Sequence, residues 1–191
     1  MNFIQRTVVL VKPDGVKRGL VGQIVSRFEN VGFKIVALKM IWVNREHVGK
    51  HYKDEREYLT RVGQRTLDDY QNFGLDPNES LGSKDPYEIG KMVRNANMDA
   101  LSSGPLVAML LEGIEAVSIV RKMVGDTNTS KALPGTIRGD FSADTPILAS
   151  MQKRPIRTIV HASGNLEEAV FEEKLWFKEK EIHNYKRVGE E

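Results

Sequence analysis

The sequence has no cysteine, and its positive and negative charges nearly cancel. Without cysteine it can form no disulfide, no thiolate metal site and no cysteine nucleophile, and such a composition suits a reducing compartment. The formal net charge is only +2, so the sequence lacks the basic excess that a nucleic-acid-binding protein carries. We therefore expect no nucleic acid as the main partner.

Long hydrophobic runs are also missing near the N-terminus. The first apolar run, 7–11, ends at Lys12, so it is too short for a signal peptide or a bilayer-spanning helix. We expect a cytoplasmic protein with no membrane partner. The chain has 191 residues, 40% of them hydrophobic, which is enough for one substantial core. We expect a single domain over 1–191.

Hydrophobic periodicity predicts the order of the secondary structure elements. Strands are predicted at 7–11, 34–43, 106–111 and 158–160, and helices at 20–28, 44–52, 58–70, 86–101 and 116–123. A last helix opens with Asn165 and Glu168 in the spacing of a capping box. The stretches 126–139 and 142–157 are predicted to be irregular.

The stretch 53–97 differs from the rest because it is polar and interrupted by glycine and proline. It holds too few apolar residues for a core of its own, so we interpret it as an enlarged helical excursion inserted into the domain. A second, shorter insertion is expected at about 142–157. Without the excursion the order is βαββαβ, which predicts an α+β ferredoxin-like antiparallel sheet with helices on one face.

His161 is the sharpest candidate for chemistry. It lies at the end of the predicted strand 158–160, and a helix follows whose free N–H groups favour anions. Neutral imidazole is a nucleophile near neutral pH. A histidine that only packs and hydrogen-bonds at a strand end is the alternative.

Three cations accompany the histidine in the sequence. Lys12 precedes a Pro-Asp-Gly turn, Arg138 lies in the glycine-bounded loop 134–141, and Arg121 lies on the helix before Gly125. Phosphoryl transfer needs positioned cations to neutralise the phosphoryl oxygens. Each cation alone could lie on a solvated surface, whereas together with a nucleophile they indicate a phosphate site.

These segments jointly resemble the nucleoside diphosphate kinase family. The matching motifs occur in the family's order: 7–16, 18–22, His51-Tyr52, Ser103-Gly104-Pro105, 125–128, 134–141, 161–163 and Trp176-Phe177. The resemblance covers roughly 5–52 and 98–178. It implies transfer of the γ-phosphate from a triphosphate, typically ATP, to a nucleoside diphosphate by a ping-pong mechanism.

The resemblance also implies a role for individual residues. His161 is the expected nucleophile, with Lys12, Ser163 and Glu172 as further catalytic residues. Glu172 would hold the histidine ring, although a solvated acidic helix face shared with Glu173 is the alternative. The expected nucleotide-binding residues are Lys12, Tyr52, Arg121, Thr127, Arg138 and Thr158.

The expected cofactor is Mg²⁺, held by the nucleotide phosphates rather than by protein ligands. The expected assembly is a homo-oligomer, either a hexamer or a tetramer. A catalytically idle nucleotide-binding or regulatory module on the same fold is the alternative function. The retained nucleophile and cations argue against it.

The chain also departs from the family pattern. Thr158 replaces the family's asparagine, and Gly164 replaces a residue that is often acidic. The phenylalanine that stacks on the base has no clear counterpart. By position it could be Tyr58, Phe73 or Val93, of which Tyr58 is favoured.

Overall fold

The computed structural model describes residues 3–188 of the chain. The strands are β1 (Ile4–Val11), β2 (Lys34–Ile41), β3 (Leu106–Ile114) and β4 (Val160–Ala162). The helices are α1 (Pro13–Lys17), α2 (Val21–Asn30), α3 (Arg45–His51), α4 (Arg56–Asn72), α5 (Pro77–Leu81), α6 (Pro86–Ser102), α7 (Ala116–Val124), α8 (Ile137–Phe141), α9 (Pro146–Met151) and α10 (Leu166–Trp176). Short 3-10 turns lie at Thr129–Lys131 and Glu179–Glu181.

The four strands form one sheet in the order β2-β3-β1-β4, and every neighbouring pair is antiparallel. This topology confirms the predicted ferredoxin-like α+β fold. Alternate residues of β1 enter two cores, one on each face of the sheet. Val9 and Val11 pack with α2 and α7, whereas Val8 and Leu10 pack with α3, α6 and α10.

Helices therefore cover both faces of the sheet, whereas the prediction placed them on one. The crossover helices α2 and α7 lie on one face as expected. The opposite face is covered by α3, α6, α10 and Phe177. Burial on both sides explains why β1 and β3 are continuous apolar runs rather than alternating patterns.

The enlarged helical segment is built on a close contact between α4 and α6. Gly63 and Gly90 make this contact possible: a Cβ atom at Gly63 would lie 1.8 Å from the Pro86 carbonyl oxygen, and one at Gly90 would lie 1.9 Å from that of Leu59. Met98 and Leu101 then carry α6 into the second core.

The structure corrects one predicted strand boundary and adds two short helices in stretches that were predicted to be irregular. Strand β4 begins at Val160 rather than at 158, because Ile159 has a φ of 55° that breaks the extended run. Helix α8 replaces part of a predicted loop, since the Thr136 side chain accepts the Gly139 N–H. Helix α9 forms within the stretch 142–157, capped by Thr145.

The C-terminal segment runs along the edge of β2. His183 N–H donates to Val36 O, and the Tyr185 hydroxyl donates to Ile35 O. The sequence's last residues, 189–191, lie outside the described part of the chain. Over residues 3–188, none of the helices has the length and apolar character that crossing a bilayer requires.

Candidate functional site

The site is built around His161, in the middle of β4. His161 pairs with Leu10 of β1 and so points to the same face of the sheet, towards α10. Its Nε2 atom lies 2.9 Å from Glu172 Oε1 on that helix. Since a carboxylate only accepts, Nε2 carries the proton and Nδ1 keeps a free lone pair.

Glu172 is a buried carboxylate and not part of a solvated helix face. Its residue is 4% exposed, and its second oxygen accepts from Ser163 Oγ at 2.7 Å. Burial by itself would raise the pKa of Glu172, but the charge and hydrogen bond of His161, together with His51 and Ser163, lower it. Ser163 Oγ also accepts from Val8 N–H, which ties this group to β1.

A second imidazole, which sequence reasoning placed in a motif without a role, lies behind this pair. His51 Nδ1 is 3.6 Å from Glu172 Oε1 and accepts from Trp176 Nε1 at 3.3 Å. The His51 and His161 rings are edge to face with centroids 4.5 Å apart. Burial, and then the neighbouring His161, lower the pKa of His51 to about 3, so this ring is neutral near pH 7.

Lys12 lies at the end of β1, next to β4. Its ammonium is buried and donates to Thr158 Oγ1 at 3.1 Å and to Ile156 O at 3.5 Å. Burial lowers the pKa of Lys12, and the charge of Arg138 lowers it further, whereas Asp14 and Asp144 raise it. The structure thus brings Lys12 into contact with Thr158, another of the expected nucleotide-binding residues.

Arg138 is held against the other side of β4. Its guanidinium donates to Val160 O at 2.9 Å, to Gly125 O at 2.8 Å and to Thr127 Oγ1 at 3.4 Å. Burial and the charge of Arg121 lower the pKa of Arg138 to about 10. Its Nε is buried with no protein acceptor among residues 3–188, so the side chain retains an unused donor.

Arg121 and Thr127 are exposed, and Tyr52 is half-buried. Burial raises the pKa of Tyr52 above its usual range, and the charges of Tyr58, Glu172 and Asp14 add to the increase. Of the three residues considered for base stacking, Tyr58 is half-buried in α4. Phe73 is 64% exposed just after α4, and Val93 lines a separate cavity of about 210 Å³ with Leu81 and Ser150.

A tight turn that the sequence did not reveal lies immediately before β4. Val160 N–H donates to Thr158 O, which closes a γ-turn around Ile159. The Asp14 carboxylate accepts the Ile159 N–H at 3.0 Å, and Ile159 O accepts the Lys12 N–H at 2.8 Å. The β-branched run 158–160 gave no signal of this turn.

The start of α10, a helix end whose free N–H groups were expected to favour anions, carries carboxylates of its own. Asn165 accepts the Glu168 N–H, and the Glu168 carboxylate accepts from Gly164 N–H rather than from Asn165. Half of the predicted capping box is therefore confirmed. The first turn carries Glu167 and Glu168, whose charges repel anions.

An imidazole held by a buried carboxylate, with the buried cations Lys12 and Arg138 around the same strand end, is the arrangement that phosphoryl transfer through histidine requires. Comparison with known proteins agrees. The family model described as nucleoside diphosphate kinase matches residues 5–60 and 87–182. The unmatched interval, 61–86, contains most of α4 and all of α5.

Individual relatives match over nearly their whole length. A nucleoside diphosphate kinase from Pyrobaculum aerophilum is 45% identical over 94% of this chain and 98% of its own length. A nucleoside diphosphate kinase from Archaeoglobus fulgidus is 38% identical over 98% of this chain and 96% of its own length.

Solved structures give the same result. An NDP kinase from Pyrobaculum aerophilum superposes with a TM-score of 0.91 at 44% identity, covering 95% of this chain and all of that one. A nucleoside-diphosphate kinase from Borrelia burgdorferi, solved as a transition-state mimic with vanadate and ADP, superposes with a TM-score of 0.77 at 37% identity. The match covers 97% of this chain and 94% of that one. This chain belongs to the nucleoside diphosphate kinase family. It is a phosphotransferase that acts on nucleotides.

Proposed function

We propose that the chain moves the γ-phosphate from a nucleoside triphosphate to a nucleoside diphosphate through phosphorylated His161. The observation that carries this proposal is the Nε2–Glu172 hydrogen bond, which leaves Nδ1 as the attacking atom. Nδ1 forms a bond to the γ-phosphorus as the bond to the bridging oxygen breaks, and the diphosphate leaves. A terminal oxygen of the acceptor diphosphate then attacks the same phosphorus and restores the imidazole.

The charged groups of the site fit this reaction. As the ring forms a bond to phosphorus it gains positive charge, which the Glu172 carboxylate stabilises through Nε2. We assign phosphate binding to Lys12, Arg121, Arg138 and Thr127, with Thr158 and Tyr52 beside them. The unused Nε donor of Arg138 supports its place in this set. Ser163 orients the carboxylate.

The base contact is proposed separately. Tyr58 is half-buried at the start of α4, whereas Phe73 is 64% exposed. We assign it, ahead of Phe73 and Val93, as the residue on which the base stacks.

Members of the family use a divalent metal ion, and we propose Mg²⁺ held by the nucleotide phosphates. The carboxylates near the transfer point are committed elsewhere: Glu172 binds His161 and Ser163, and Asp14 binds Ile159 N–H. His51, His161 and Glu172 do cluster, with one ligand atom from each within 4.8 Å of the others. Two of these atoms are imidazole nitrogens, whereas Mg²⁺ prefers oxygen ligands. Bound in this way, the ion neutralises phosphate charge.

We further propose that the chain is one domain with insertions at about 53–97 and 142–157, that it acts in the cytoplasm, and that it assembles as a hexamer or tetramer. The exposed apolar residues on edge strand β2 and just after it, Leu38, Met40 and Trp42, support self-association. The mass of the particle in solution, measured by light scattering, would distinguish a monomer, a tetramer and a hexamer.

The reaction is tested by incubating the chain with γ-labelled ATP. We expect an adduct that is labile in acid and stable in base, and that is discharged when a nucleoside diphosphate is added. His161→Ala should lose the label, whereas His183→Ala, an exposed histidine in the C-terminal segment, should retain it. Label that persists in His161→Ala, or an unlabelled parent protein, would refute the mechanism and favour the idle module.

A further inference from the structure

The segment 155–158 carries the two acceptors of the Lys12 ammonium, Ile156 O and Thr158 Oγ1. It pairs with no strand within residues 3–188. Pro155 and Ile156 are half-buried, Arg157 is exposed and Thr158 is buried, so packing holds mainly the last residue of the segment. Hydrogen bonds therefore hold residues 155–157, which precede it.

Those hydrogen bonds come from within the second enlarged stretch, 142–157. Asp144, which is 8% exposed, binds the Arg154 guanidinium through both carboxylate oxygens and also accepts the Arg157 N–H at 2.8 Å. The Ser142 hydroxyl donates to Arg157 O. Arg154 itself donates to Pro155 O at 3.1 Å.

We propose that Asp144 and Arg154 are positioning residues for Lys12. Their ion pair fixes the segment 155–158 at the place where Ile156 O and Thr158 Oγ1 direct the ammonium. A bidentate Arg–carboxylate pair suits this task because its planar geometry fixes orientation as well as distance. The inference rests on the proposed role of Lys12 in phosphate binding.

This assignment gives the inserted stretch 142–157 a catalytic consequence that acts through Lys12. The Asp144 side chain is mostly buried and its charge also reaches Lys12, where it favours the ammonium form. Burial by itself would raise the pKa of Asp144, but Arg154 and the Arg157 N–H lower it, so this carboxylate is charged near neutral pH.

The test is a double-mutant cycle on the rate of transfer from ATP. Asp144→Asn keeps the shape of the side chain but replaces one acceptor of the guanidinium with an amide. We expect kcat/KM to fall by about tenfold, as is typical when a group that orients a reacting residue is lost. In the Lys12→Ala background the same substitution should change kcat/KM by less than about twofold, because the group it positions is gone.

A matched control exists in the first enlarged segment. Asp76 also pairs with a cation, Lys84, and accepts a backbone N–H from Asn78. Asp76→Asn should leave kcat/KM within about twofold in both backgrounds. Arg154→Lys keeps the charge but loses the planar fork, so it should behave like Asp144→Asn and serves as the second variant if that protein folds poorly.

The possible outcomes separate the claims. An equal loss from Asp144→Asn in both backgrounds would show a general structural effect and overturn the positioning role, as would no loss in the parent. If Lys12→Ala leaves transfer unchanged, the role of Lys12 fails and the positioning role fails with it. A chain that is never labelled by ATP would instead overturn the proposed function.

Discussion

The contact between α4 and α6 allows a quantitative test of how the enlarged helical segment is held together. At Gly90 an added Cβ would lie 1.9 Å from the Leu59 carbonyl oxygen and 2.6 Å from its carbonyl carbon. Both opposing atoms are backbone atoms, so no side chain can rotate away. Gly90→Ala therefore requires the two helices to separate.

The size of the effect follows from that displacement. Bringing the oxygen from 1.9 Å to 3.0 Å, the shortest separation that real Cβ atoms tolerate, moves the helices apart by about 1.1 Å. A gap of about 1 Å loses roughly half of the dispersion energy at each contact, and overpacking of this kind costs up to about 3 kcal/mol. Alanine has a higher helix propensity than glycine, which offsets about 1 kcal/mol of this cost. We expect a net loss of about 2 kcal/mol.

Thermal unfolding followed by circular dichroism would measure this loss as a decrease in Tm of roughly 4–8 °C. Gly22→Ala is the matched control, because Gly22 lies in α2 with no atom within 4 Å of an added Cβ. That variant should gain up to about 1 kcal/mol. A Tm for Gly90→Ala at or above that of the parent would show that the helices are not in close contact.

Two further predictions concern the site. His51 has a folded-state pKa of about 3, below its unfolded value, so the unfolded chain binds the extra proton and the stability from this group is lost as pH falls below about 6.5. When the pH falls from 7 to 5.5, the free energy of unfolding measured in urea should decrease by about 1 kcal/mol more for the parent than for His51→Gln. Equal pH dependence of the two proteins would contradict a buried neutral ring. Ser163→Ala removes the buried acceptor of Val8 N–H and a donor to Glu172, so it should destabilise the chain by about 1–3 kcal/mol. Ser118→Ala, on the surface of α7, should change the free energy of unfolding by no more than about 0.5 kcal/mol. Similar urea midpoints for the two variants would argue against the hydrogen bonds that Ser163 makes to Val8 and Glu172.

The sequence by itself determined the order of the main strands and helices and the residue types of the candidate site. Strands β1 and β3 and helices α2 and α7 follow from hydrophobic periodicity, because an amphipathic or fully buried element leaves its period in the sequence. The side-chain types of His161, Lys12 and Arg138 are equally local, since an imidazole, an ammonium and a guanidinium are given directly by the residue. These features were sufficient to indicate the family.

Only the tertiary structure decided how those groups are held. Glu172 could have faced solvent beside Glu173, and its burial against His161 depends on how α10 packs on the sheet. The γ-turn at Ile159 opposes the extended preference of its own β-branched sequence and is held by Asp14, more than a hundred positions earlier in the chain. Such contacts have no period and no local signal, because the partners meet only when distant segments pack together.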